Sequence, residues 1–172
     1  MRAVATAAFP APDHDHAACV DQALAVAEEV CRARGARLTA VRRRVLELLL
    51  AEGHRAVGAY HLLDRLNDGA SGRKAAPPVV YRALEFLVEQ GLAHRIASLN
   101  AFVGCARPQD DHRAQFLICR RCGTVAEIAG ERLSHDLAEA AERAGFTMLT
   151  AVVEAEGLCP RCRDLPPEEE SE

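Results

Sequence analysis

The chain of 172 residues has no long hydrophobic run; its unbroken apolar stretches are only a few residues each, far short of the roughly 20 that a helical membrane span needs. A transmembrane helix is therefore excluded. The first twelve residues are rich in small side chains, with one Arg and no compact apolar block, so no secretory signal is expected and the chain reads as cytoplasmic. A dominant charge is missing too: 21 Lys and Arg against 25 Asp and Glu leave a net charge of -4. That balance conceals an asymmetry. From Asp21 to Arg95 there are twelve basic against nine acidic residues, and from Ile96 to Glu172 eight against fourteen. The mildly basic first half suits a nucleic-acid footprint, but many inert domains carry as much, so motifs must decide. With 49% apolar and 27% charged residues the composition is globular, and the length suits one domain or two small ones. Cysteine is plentiful, at seven residues. In a reducing compartment such thiols stay reduced, which makes metal binding the leading explanation.

Periodicity predicts an α+β chain. Residues 1–20 contain Pro10, Pro12 and many alanines without a period and are expected to form a flexible tail. Asp21 is positioned to cap a first helix running to about Arg34, with Leu24, Ala27, Val30 and Cys31 on one face. A second helix starts at Thr39 and stops near Gly53, and a short third carries Ala59, Leu62, Leu63 and Leu66 before Asn67-Asp68-Gly69. Pro77 and Pro78 open a fourth helix that Gly91 closes, with Val80, Leu84, Leu87 and Val88 as the expected buried stripe. Residues 93–97 and 101–104 flank a turn and read as a β-hairpin. Such an order describes a winged helix-turn-helix over 21–97, whose fourth helix enters the major groove. A linker is expected at 98–112. Strands at 115–118 and 124–128, a helix at about 131–144 and a further strand at 146–155 make a separate α/β unit over 113–163, followed by a disordered acidic tail at 164–172.

Cys119-x-x-Cys122 and Cys159-x-x-Cys162, with 36 residues between the pairs, are the strongest chemical signal. Each knuckle lets two thiolates reach one ion, and two knuckles supply the tetrahedral sulfur set of a closed structural zinc site. The ion ties the start of a small unit to its end, where the apolar core alone is thin. A redox dithiol needs one such motif in a βαβ setting rather than two matched ones. His94, Cys105, His112 and Glu127 are a looser constellation: one thiolate, two imidazoles and a carboxylate suit zinc, and the thiolate argues against a hard ion. Spacing alone also allows four residues without common purpose. Tyr81 and Arg82 stand where a recognition helix meets DNA, and Arg can take guanine bidentately. Tyr60, opening the third helix, is either a phosphate contact or a packed helix-end tyrosine. Arg42, Arg43 and Arg44 fan around the second helix rather than forming a patch. His14, His16 and Cys19 form an H-x-H-x-x-C run that has the donors to bind metal but, within a flexible tail, reads as incidental. Cys31 reads as a core thiol, His54 and His61 as surface residues, and His135 as a weak further ligand candidate.

Pro78-Val79-Val80-Tyr81-Arg82-Ala83-Leu84-Glu85-Phe86-Leu87, Gly91-Leu92-Ala93-His94-Arg95, Asn100-Ala101-Phe102-Val103-Gly104-Cys105 and Cys119-Arg120-Arg121-Cys122-Gly123 together resemble the Fur family of bacterial metal-dependent repressors, most closely its zinc-sensing branch. The resemblance spans about residues 21–163 in colinear order. It implies a homodimer in which the N-terminal winged helix reads DNA and the C-terminal unit holds the dimer. It further implies two zinc ions per subunit: a structural ion on Cys119, Cys122, Cys159 and Cys162, and a regulatory ion on His94, Cys105, His112 and Glu127. The function implied is repression of zinc-uptake genes by the zinc-loaded dimer on an AT-rich inverted-repeat operator. Whether two dimers share one operator stays open. Two departures stand out. Val79 replaces the threonine of P-x-T-V-Y-R, removing one possible phosphate contact. The histidine-rich run of iron-sensing members is here Asp110-Asp111-His112-Arg113-Ala114-Gln115, with a single His, which counts against iron. Iron, manganese, nickel and peroxide sensing remain the nearest alternatives. A zinc hydrolase is a distant one, since four ligands fill the tetrahedron and no H-E-x-x-H helix is present.

Overall fold

A computed structural model describes residue 9 and residues 15–68, 74–109 and 114–166. The chain divides into an N-terminal unit reaching to residue 112 and a C-terminal unit from residue 113 onward, to which Phe9 also belongs. No helix among the described residues is long and apolar enough to cross a membrane.

The N-terminal unit comprises α1 (His16–Ala33), α2 (Ala40–Ala51), α3 (Ala59–Asn67), α4 (Pro77–Glu89), β1 (Ala93–Ile96) and β2 (Ala101–Gly104). The first helix starts five residues ahead of the expected Asp21, so residues 16–20 are helical and not tail. Asp15 supplies the cap, its carboxylate accepting from the Ala18 N–H at 3.0 Å. The second helix begins where expected, with Thr39 as its cap. Asn67 joins the two ends of the α3–α4 connection, its amide donating to Ala75 O at 3.1 Å and accepting from Ala75 N at 2.7 Å. That clamp fixes where α4 begins. At its other end Gly91 takes φ 64°, and Leu92 N donates to Leu87 O at 2.8 Å, the left-handed stop that glycine makes without strain.

Leu46, Leu49, Leu62, Leu84, Leu87 and Ile96 are among the fully buried side chains of this unit. The stripe on α4 differs from expectation in one place: Val88 is 38% exposed, whereas Phe86 is only 8% exposed. The cause lies on α2, where the Arg42 guanidinium sits 3.6 Å from the Phe86 ring centroid and covers it. β1 and β2 pair antiparallel from Ala93↔Gly104 to Ile96↔Ala101, and Val57 pairs with Phe102 on the other side of β2. Residues 101–104, read from the sequence as the second arm of the hairpin although they also fall inside the 98–112 stretch assigned to the linker, form a strand of the wing and lie at the centre of its small sheet.

The C-terminal unit contains β3 (Ala114–Cys119), β4 (Val125–Ala129), α5 (Glu131–Arg143), β5 (Val153–Gly157) and α6 (Pro160–Arg163). The sheet order is β4-β3-β5, with β3 antiparallel to β4 and parallel to β5. α5 is the crossover that the parallel pair requires. The last strand forms at 153–157 rather than over 146–155, because pairing with β3, from Gln115↔Val153 to Cys119↔Gly157, sets its register. α5 buries none of its side chains; Leu133 is 48% and Leu137 40% exposed.

Candidate functional site

The parallel β3–β5 pairing brings both cysteine knuckles to one end of the C-terminal sheet. Cys119 ends β3 opposite Gly157, and Arg120 N donates to Gly157 O at 2.9 Å. Gly123 at φ 73° lets the chain reverse within the first knuckle, where Gly123 N donates to Cys119 O at 2.9 Å. Cys159 caps the short α6 and Cys162 lies one turn on. The four sulfurs all lie within 4.8 Å of one another, with Cys119, Cys159 and Cys162 buried and Cys122 half-buried. Cys122 Sγ and Cys159 Sγ are 3.7 Å apart. Zinc–sulfur bonds of about 2.3 Å arranged tetrahedrally demand sulfur–sulfur edges of about 3.8 Å, so the donor set fits that ion.

Electrostatics point the same way. Burial alone raises the Cys119 thiol, but N–H donation from the backbone of Cys159, Cys122 and Arg121 together with Cys122 outweighs it and brings the group down to about 6. Burial and the neighbouring sulfurs push Cys162 up to about 12. The opposite directions of these two shifts reflect the mutual repulsion of crowded thiolates, a repulsion that a bound divalent cation would relieve. Phe9 and Cys122 pack against the buried cysteines.

The residues of the looser constellation fall in different units. His94 lies on β1 opposite Val103, and Cys105 follows β2 with its N–H donating to Leu92 O at 3.0 Å. Hairpin register and that bond bring a His94 ring nitrogen and the Cys105 sulfur within 4.8 Å of each other. Glu127 lies on β4, paired with Phe116 of β3. His112, like His14, is outside the described residues.

On the face of the N-terminal unit away from its core, Tyr60 opens α3 at 66% exposure and Tyr81 stands in the first turns of α4 at 40%. Their rings meet edge to face with centroids 6.5 Å apart, and Arg82 beside them is exposed. A groove of about 510 Å³ between this face and the wing is bordered by Tyr60, Tyr81, Arg95, Glu85 and Glu89. Glu85 and Glu89 outnumber Arg95 in its lining, whereas Arg82 is exposed near the start of α4. The three consecutive arginines of α2 are engaged elsewhere: Arg42 donates to Arg37 O at 2.7 Å, Arg43 pairs with Glu28 at 3.0 Å and Arg44 with Glu47 at 2.8 Å. Cys31 is a core thiol, raised by burial against the opposing pull of Arg34 and Arg42. His135 shares an exposed group with Asp136 and Glu139 on α5.

Sequence reasoning missed a third cluster. His54, expected on the surface, is half-buried in the α2–α3 connection with φ 62°, and it meets His16 and Cys19 of the first turns of α1. Asp15 ahead of Ala17 and Ala18 is the signal that could have placed His16 and Cys19 on a helix.

Comparison with known proteins agrees with the geometry. The model of the ferric uptake regulator family matches residues 33–156. The zinc uptake regulation protein of Escherichia coli (strain K12) is 43% identical over 141 residues, covering 81% of this chain and 80% of that protein. Among solved structures, a zinc uptake regulator complexed with zinc and DNA superposes with a TM-score of 0.77 at 40% identity, covering 84% of this chain and 95% of the other. The crystal structure of holo XcZur gives 0.74 at 38% identity, covering 85% of this chain and 99% of the other.

Proposed function

Because the chain belongs to the ferric uptake regulator family, we propose that it is a zinc-responsive, DNA-binding transcriptional repressor and not an enzyme. The observation that carries the zinc reading is the His94–Cys105 pair, a nitrogen donor on β1 and a sulfur donor just after β2, within 4.8 Å of each other. A thiolate in the sensing set selects a borderline-soft ion over manganese or another oxygen-loving one.

Cys119, Cys122, Cys159 and Cys162 hold a structural zinc ion. Bound there, zinc supplies four bonds that join the ends of β3 and β5 to the start of α6, and it has no open position for chemistry. His94, Cys105, His112 and Glu127 hold the regulatory ion, giving two per subunit. The set draws on both units of the chain, so the orientation in which all four residues serve one ion is favoured as free zinc rises. A coupling of about 1–3 kcal/mol per subunit is enough to change operator occupancy strongly.

DNA is read by Arg82 and Tyr81 of α4, with Tyr60 beside them. Leu133, Leu137, Phe146, Leu149 and Val152 of the C-terminal unit are all exposed, apolar area that a second copy can cover, which supports a homodimer. Two recognition helices about 34 Å apart then enter successive major grooves of an inverted repeat. Zinc-loaded dimer represses zinc-uptake genes, and falling zinc releases them.

The test is fluorescence anisotropy of an AT-rich inverted-repeat duplex at fixed salt, with free zinc buffered, for the natural chain and Cys105→Ser. Zinc-dependent binding by the natural chain, and binding by the folded variant only at much higher zinc, is the expected result. Equal binding by both at every zinc level, or switching by another metal alone, overturns the reading.

A further inference from the structure

The cluster of His16, Cys19 and His54 takes no part in the function proposed above. His16 and Cys19 are three residues apart on α1 and share one of its faces, while His54 comes from the connection between α2 and α3. One donor atom from each lies within 4.8 Å of the others, all three side chains being half-buried. The two imidazoles sit edge to face, centroids 5.3 Å apart.

We propose that His16, Cys19 and His54 form a further metal site, selective for zinc and similar borderline-soft ions, within the DNA-reading unit. Four observations meet there. His16 Nε2 lies 2.8 Å from Leu50 O, and because a carbonyl only accepts, Nε2 carries the hydrogen. An N–H held by a backbone carbonyl is the usual way a metal-binding histidine is oriented, the other ring nitrogen being the one that ligates. Second, the three residues border a cavity of about 20 Å³ closed by Leu50 and Gly104. That is room for one ion or one water and little else. Third, His54 holds φ 62° directly after Gly53 at φ 70°. A non-glycine residue in the left-handed region costs free energy, and such positions gather where a side chain has a task. Fourth, the set offers nitrogen and sulfur but no carboxylate, which disfavours magnesium, calcium and manganese. The exposed group of His135, Asp136 and Glu139 has none of these supports.

Three protein ligands leave one tetrahedral position for water, so this ion exchanges more readily than one held by four cysteines. Binding ties the first turn of α1 to the α2–α3 connection. It therefore stiffens the unit at zinc levels above those that fill the other sites.

The test uses full-length protein carrying Cys105→Ser, with the four-cysteine site filled by zinc, titrated with Co²⁺. Cys19 is then the thiolate expected to ligate cobalt, so a near-ultraviolet sulfur-to-cobalt charge-transfer band should develop and disappear when Cys19→Ser is added. Without Cys105→Ser, the natural chain should bind one more zinc equivalent than His54→Gly. That second variant suits the left-handed backbone and should fold at least as well as the natural chain. A band unchanged by Cys19→Ser, no band at all, or equal zinc content in the natural chain and His54→Gly overturns the site. Because Cys105 is absent from the cobalt experiment, failure of the regulatory assignment leaves its outcome unchanged.

Discussion

The two units of this chain are held together by different means. In the N-terminal unit, four helices bury Leu46, Leu49, Leu62, Leu84 and Leu87 almost completely, around a continuous apolar core that extends to Leu92 and Ala93. In the C-terminal unit α5 buries nothing, and the buried residues are strand positions such as Phe116, Ile118 and Val125 together with three cysteines. Hydrophobic burial suffices for the first. On the function proposed above, the second relies on a zinc ion at the end of its sheet and on a second copy against its helix, and its order should then depend on zinc and on protein concentration in a way the N-terminal unit's does not.

The largest effect that can break this contrast is loss of the four-cysteine ion. Cys159→Ser, or a strong chelator, should unfold the C-terminal unit and leave α1 to α4 intact, as read by backbone NMR; structural zinc in small domains is worth roughly 10–16 kcal/mol at neutral pH. Acid should act on the same ion. In the metal-free site Cys119 is depressed to about 6 from 9.0, so below about 6 a proton competes with zinc for this sulfur as well, and zinc retention against a competing chelator should fall more steeply with acid there than above it. Loading at pH 7 should also release protons, that of Cys162 foremost because its thiol is pushed up to about 12.

Next in size is the apolar core. Leu84→Ala should cost about 2–5 kcal/mol in urea unfolding of the N-terminal unit, and by the same amount whether or not the cysteine site is loaded. Arg82→Ala should weaken operator binding by about 1–3 kcal/mol and relax discrimination at one base pair, measured by anisotropy against single-substitution duplexes. The smallest effect is expected from Leu137→Ala, about 1–2 kcal/mol of dimer affinity by sedimentation, with the monomer fold unchanged. If Leu84→Ala depended on zinc and Cys159→Ser did not disturb the sheet, the distinction between the units would be lost.

Local chemistry made much of this legible. The knuckles, the proline-to-glycine frame of α4 and the Thr39 cap are short-range signals, and each appears in the structure near the position that residue type dictates. What sequence could not give was set by distant partners. β5 takes its place from pairing with β3, which no local pattern encodes. Phe86 is buried because Arg42, half a domain away in sequence, lies over it. His54 acquires its neighbours only because Asp15 starts α1 early enough to carry His16 and Cys19 onto a helix. The closeness of His94 and Cys105 likewise follows from hairpin register rather than from their spacing in the chain.

One zinc titration, followed by two readouts on the same full-length sample, tests the central claim most directly: hydrogen exchange in residues 114–166 and anisotropy of the operator duplex. Two separated steps are predicted, protection of the C-terminal unit at low free zinc and DNA binding at higher free zinc, with Cys105→Ser shifting only the second. A single step in which protection and DNA binding rise together, or a Cys105→Ser shift in both, would contradict it.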